Sequence, residues 1–205
     1  KTEKKGNILD VGSGTGSNIP FYSKVSNTSQ ITCLEPDKKL FSNLRKKHKN
    51  KKKIVIKNLK LSQLKNTKKF KTIIYADVLE HIKNDFKELR LALNCLKKNG
   101  RLIILCPAHN FLFTSFDTNV GHFRRYNKNI FKSFKIKNAE IEKLYYLDSL
   151  GFFLSILNKL ILKRNPKKKE IKFWDNIIVP LSKISDLLLC NLFGKSIVCV
   201  YKKIN

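Results

Sequence analysis

The stretch NILDVGSGTGSN, residues 7–18, sets an acid, Asp10, just ahead of three glycines at alternate positions, Gly12, Gly14 and Gly16. Glycines there leave bare backbone against which an extended cofactor can lie. A dinucleotide-binding turn spaces its glycines G-x-G-x-x-G, and Asp10 would repel the pyrophosphate. The G-x-G-x-G spacing behind an acid instead favours a cofactor that carries positive charge. S-adenosylmethionine brings an ammonium and a sulfonium, and it is preferred here over NAD. Glu35, in CLEPD, is the second acid. One carboxylate there can accept from both hydroxyls of a ribose.

A second group of reactive side chains lies in PAHNFLFTSFDTNVGHFRRYNKN, residues 107–129. The segment is too long for a simple connection and is expected to be functional. Methyl transfer from a sulfonium depends mostly on alignment, but a hydroxyl acceptor also gains from a base. His122 is the first candidate for that base and His109 the second, with Tyr126 placed beside them. Arg124 and Arg125 suit an anionic or sugar-bearing acceptor, since Arg grips carboxylate or phosphate bidentately. The same two residues could instead open a helix and make structural ion pairs. Asp117 and His81 complete the expected substrate set, although His81 in LEHI could also cap or pack the helix that follows. Cys106 ends an apolar run and reads as a buried thiol rather than a nucleophile.

These residues need a scaffold that brings distant chain segments to one edge. Apolar runs at NILDV, QITCLEPD, KIVIKNL, FKTIIYADVL, GRLIILCPA, EIEKLYYLD and SIVCVYKKI read as strands. Between them, a helix from the glycine turn to about Val25, KKLFSNLRKKHK and DFKELRLALNCLKK read as helices, the last closed by a left-handed cap at Asn99-Gly100. The alternation predicts an α/β, doubly wound, mostly parallel sheet. In such a sheet ligands bind beyond the carboxyl ends of the strands, and Asp10, Glu35, Asn58, Asp77 and His109 all fall there. Two apolar helical stretches, spanning 149–193, form a cover before the last strand. The basic run KRNPKKKE, 163–170, reads as a solvated loop between them.

Composition sets the outer limits. At 205 residues the chain is expected to be a single domain, 1–205, with an N-terminal helix missing ahead of Lys1. The net charge of +28 comes almost wholly from dispersed Lys. It reads as residue bias rather than a nucleic-acid surface, because no aromatic-interleaved patch gathers it. Five scattered Cys without framework spacing point to a reducing, cytoplasmic setting and to no metal site. No apolar run is long enough for a membrane span. The apolar cover and its nearby Lys are compatible with peripheral contact at a membrane surface or with a lipid-linked acceptor.

ILDVGSGTG, CLEPD, YADVLEHI and KKNGRLIILCPA occur in the order and spacing of class I S-adenosylmethionine-dependent methyltransferases, which the chain resembles over residues 6–108. VLEHI is similar to the form found in the small-molecule branch that includes the ubiquinone-biosynthesis type. The resemblance implies a Rossmann-like seven-stranded sheet with an antiparallel last strand. It implies that Gly12, Ser13, Gly14 and Gly16 line the methionine part of the cofactor with Asp10 near its amino group. Glu35 and the adjoining Pro36 would hold the ribose, and Asp77 with Val78 would flank the cofactor. The family often places an acid after strand three against the adenine amino group; Asn58 stands there, and its carbonyl can accept the same hydrogen bond. Lys71 replaces the acid often found at the start of strand four. Methyl transfer to a small or lipid-linked acceptor, most readily at oxygen, is the expected function. A nucleic-acid methyltransferase is disfavoured because ADVLEHI replaces the Asn/Asp-Pro-Pro-aromatic segment that holds a flipped base. A catalytically silent binding module using the basic surface is the other alternative. Oligomeric state is left open.

Overall fold

A computed structural model describes residues 6–24, 28–64, 69–162 and 174–204. Seven strands, β1 Gly6–Val11, β2 Thr28–Leu34, β3 Ile54–Lys57, β4 Phe70–Ala76, β5 Leu96–Pro107, β6 Ala139–Leu147 and β7 Ser196–Lys203, form one sheet in the order β3-β2-β1-β4-β5-β7-β6. Neighbouring strands run parallel except β7, which is antiparallel to both β5 and β6. This is the expected doubly wound sheet. Leu9, Ile73, Leu102 and Ile104 in its central strands are fully buried. Each contributes roughly 1.5–3 kcal/mol of apolar burial, so the strand ends that carry the site are fixed by a rigid layer.

The helices are α1 Ile19–Lys24, α2 Lys38–His48, α3 Asp85–Asn94, α4 Ser115–Asn119, α5 Lys128–Ser133, α6 Ser149–Leu157 and α7 Val179–Leu188. Asp37 caps α2 by accepting from the Leu40 amide, and Asn84 caps α3 by accepting from that of Lys87. The end of α3 departs from expectation. The helix stops at Asn94, and Leu96 already pairs with Phe70 as the first residue of β5. Asn99 does adopt a left-handed φ of 58°, but within β5, where the register jumps from Phe70↔Leu96 to Thr72↔Arg101. The tight-turn chemistry of Asn-Gly is used for a bulge instead of a helix cap.

Four cysteines are buried, whereas Cys190 is exposed. The basic run 163–170 lies outside the described residues. No helix among the described residues is long and apolar enough to cross a membrane.

Helices α6 and α7 are joined by a small polar knot. The Asp186 carboxylate accepts from the backbone amides of Asp148 (2.9 Å) and Ser149 (2.7 Å). Asp148 caps α6 through the Gly151 amide at 3.0 Å, and Ser182 donates to the same oxygen at 2.6 Å. Asp186 and Ser149 are buried, so the two amides lose the acceptor that the carboxylate supplies when it is removed. Asp186→Ala is therefore expected to destabilise the fold by about 2–4 kcal/mol in urea denaturation. A loss below about 0.5 kcal/mol would show that the knot does not hold the cover in place.

Candidate functional site

The site begins where β1 ends. Backbone amides of Gly12 and Ser13 both donate to the Leu34 carbonyl, at 2.8 and 3.0 Å, which stitches the turn onto β2. Ser13 Oγ closes the turn onto the Asp10 carbonyl at 3.1 Å. The three glycines have different physical reasons. A Cβ at Gly12 would meet Val78 Cγ2 at 2.6 Å, and one at Gly16 would meet Leu44 Cδ1 at 2.4 Å. Gly16 is buried and packs the turn on α2. At Gly14, with φ of 53°, a Cβ would meet nothing within 4 Å. That open backbone is the cradle.

Two carboxylates flank it. Glu35 Oε2 accepts from the Gly14 amide at 2.7 Å and Oε1 from the Asp37 amide at 2.9 Å. Each oxygen keeps a second lone pair for a diol. The Asn58 amide donates to the carbonyls of Glu35 (2.8 Å) and Pro36 (2.9 Å), which orients the side chain and leaves its Oδ1 as an acceptor. Asp10 is buried and accepts from Tyr22 Oη at 3.2 Å. Burial raises its pKa to about 6, against hydrogen bonds from Ser13 and Tyr22 that lower it, while the Glu35 charge adds to the rise. Asp77 follows β4 with φ of 54°, and its amide donates to the Leu105 carbonyl at 2.9 Å.

The long segment 107–129 folds back over the same edge, as its position after β5 predicts. Tyr126 and Ala108 pair across it, and the Phe123 amide donates to the Glu80 carbonyl at 2.8 Å. Its charged residues, however, are engaged with one another. Arg125 is buried and holds Asp117 bidentately, Nε to Oδ1 and Nη2 to Oδ2, both at 2.9 Å. Arg124 binds Asp85 Oδ2 at 2.9 Å and the Lys83 carbonyl at 2.8 Å. Tyr126 is fully buried and donates to Asp85 Oδ2 at 2.9 Å. These bonds correct three assignments: neither Arg is free to grip an acceptor, and the buried Tyr126 hydroxyl cannot reach one. Asp117, with 1% exposure, is likewise an internal acceptor and not a substrate contact. His109 sits in an aromatic cluster, stacked on Tyr146 with ring centroids 4.7 Å apart and beside Phe111 and Phe152. Burial lowers its pKa. Packing explains it better than catalysis.

His122 is different. Asp117 Oδ1 lies 2.9 Å from its Nδ1, and the Glu80 carboxylate lies 3.8 Å from its Nε2. The His81 ring meets it edge-on, with centroids 4.6 Å apart. Asp77 is within electrostatic reach of the same imidazole. The cluster thus adjoins the end of β4, just beyond which Val78 packs on Gly12. Glu80 is the functional candidate that the sequence reading passed over. It is 1% exposed, and burial pushes its carboxyl up to about 8. Its place in VLEHI, beside His81, was the available signal.

Residues 1–149 match the model of a methyltransferase domain family. The chain belongs to that family. No curated protein matches it in sequence. Among solved structures, an S-adenosylmethionine-dependent methyltransferase from Mesorhizobium loti is similar at 10% identity, with 98% of this chain and 92% of that one covered and a TM-score of 0.67. Coclaurine N-methyltransferase bound to N-methylheliamine and SAH is similar at 14% identity, covering 98% and 68%, with a TM-score of 0.66. The [4+2]-cyclase SpnF is similar at 14% identity, covering 98% and 76%, with a TM-score of 0.65. At such identities these likenesses establish the fold, and the cyclase illustrates that one fold hosts more than one chemistry. The family match makes this chain a methyltransferase that uses S-adenosylmethionine, and the open Gly14 backbone between two carboxylates fits that cofactor.

Asp10 gives this fit a pH signature. Its folded pKa of about 6 lies above the ordinary 3.8, so the residue protonates as pH falls through 6 and no longer attracts an ammonium. S-adenosylmethionine should bind about tenfold more weakly at pH 5 than at pH 7, measured by calorimetry, and Asp10→Asn should flatten the profile. A flat wild-type profile would contradict a contact between Asp10 and the amino group.

Proposed function

We propose that the enzyme transfers the methyl group of S-adenosylmethionine to a hydroxyl of a small or lipid-linked acceptor, with the chemistry centred on His122. The observation that carries this reading is the Asp117–His122 pair: a carboxylate orients one imidazole nitrogen and leaves the other facing Glu80 and His81 beside the cofactor turn. A hydroxyl must lose a proton when it is methylated, so an oriented imidazole cluster is of use to it. In the transfer the acceptor oxygen forms the new bond to carbon as the sulfur–carbon bond breaks. The electron pair of that bond stays on sulfur, which becomes a neutral thioether.

The apolar cover supports an acceptor with a lipid part. Phe153, Leu157 and Leu160 on α6 and its continuation, with Ile184, Leu187 and Leu188 on α7, are all exposed. A face of that kind marks an interaction surface. The sugar-bearing or anionic character first expected of the acceptor rested on Arg124 and Arg125, and it has no support once both are engaged with Asp85 and Asp117.

The test is methyl transfer from labelled cofactor into fractionated cell extract, with mass identification of the product. The expected product is an O-methylated compound in the lipid or small-molecule fraction. His122→Ala should lower kcat by about 10²–10⁴-fold, with cofactor affinity nearly unchanged. Label appearing in RNA, or at nitrogen only, would overturn the reading.

A further inference from the structure

We propose that Glu80, His81 and His122 form a binding site for one divalent transition-metal ion, whose remaining positions receive the acceptor oxygen. One ligand atom from each residue lies within 4.8 Å of the other two. The 3.8 Å between His122 Nε2 and Glu80 Oε1 falls in the span of two ligands on one ion, about 3.0–4.2 Å for bonds near 2.1 Å. The third ligand atom, within 4.8 Å of the other two, closes on the same ion once those separations fall to about 4.2 Å or less.

The second and independent observation is Glu80 itself. Its carboxyl is 1% exposed, yet neither Oε1 nor Oε2 has a hydrogen-bond partner of normal geometry. Its own amide and the weak Cys106 thiol are near it, and His122 Nε2 stands 3.8 Å off, beyond hydrogen-bond distance. Native structures rarely leave a buried carboxyl so poorly satisfied, because desolvation then goes uncompensated. A cation at the mouth of the cluster supplies the missing partner.

The groups behind the ligands are arranged as metal sites arrange them. Asp117 accepts from His122 Nδ1, the carboxylate–histidine pairing that fixes the tautomer and turns Nε2 toward an ion. Arg125 and the Thr114 amide and hydroxyl hold Asp117 in turn. The Gly121 backbone lies beside the His81 ring. Two imidazoles and one carboxylate suit zinc, cobalt, iron or manganese better than the hard cations calcium and magnesium, which take mostly oxygen. Three protein ligands leave open positions, as catalytic sites do. A hydroxyl bound there would release its proton to solvent more readily before the methyl group arrives. The absence of a Cys framework had argued against any metal, but these ligands come from a Glu-His pair and a residue brought in by the long loop.

The role given to the open positions rests on the hydroxyl-acceptor reading; cation binding does not. The test uses untagged, chelator-treated protein and Co²⁺ alone, followed by equilibrium dialysis and visible absorption. One Co²⁺ per chain is expected, and His81→Ala and Glu80→Gln should each weaken binding at least tenfold. His81 is exposed, so its replacement leaves the core intact, and circular dichroism verifies both variants. Binding that is absent, or unaffected by both substitutions, would overturn the site. S-adenosylmethionine affinity measured on the same metal-free samples separates the two readings. Its retention without Co²⁺ binding removes the metal site alone, whereas its loss removes the methyltransferase reading.

Discussion

The site depends on one buried ion pair, Arg125 with Asp117. Asp117 accepts two bonds from the guanidinium, one from His122, and two from Thr114. Burial alone would raise its pKa, but the bonds from Arg125, His122 and Thr114 outweigh that and hold it below the ordinary value. A buried pair of this kind is not by itself a source of stability, since desolvation offsets attraction. Removing one partner, however, leaves a buried charge uncompensated and costs about 3–5 kcal/mol. The pair therefore acts as a fixed point. It ties the segment after β5 into one shape and hands His122 an oriented acceptor.

Around that point the edge of the sheet divides into two halves with different electrostatics. On the β1–β2 side, Asp10 and Glu35 surround open backbone at Gly14 and present negative charge to a cationic cofactor. On the β4–β5 side, Glu80, His81 and His122 present groups that can manage a proton or an ion. Val78, packed on Gly12, joins the two halves. A methyl donor needs little activation, so the protein's contribution lies in this spacing.

The sheet was legible because buried parallel strands leave continuous apolar runs and their ends collect polar residues, as at Asp10, Glu35 and Asp77. The cofactor turn was legible for the same reason. The substrate assignments were less legible. Arg124, Arg125 and Tyr126 have the residue types of a binding site, but their partners, Asp85 and Asp117, become visible only when the loop folds. Adjacent arginines read identically whether they face a ligand or an internal carboxylate. Glu80 was hidden for the opposite reason. An acid next to a histidine in a short motif gives no sign that it will be buried without a partner.

The most direct test of this arrangement is the protonation of the His122 ring, read from nitrogen-15 spectra of histidine-labelled protein at pH 8, with His122→Ala used for assignment. The Asp117 bond requires a proton on Nδ1, and the roles proposed for the ring require Nε2, which faces Glu80 and His81, to carry none. A spectrum with the proton on Nε2 would contradict it, because that nitrogen could then serve neither as a base nor as a ligand.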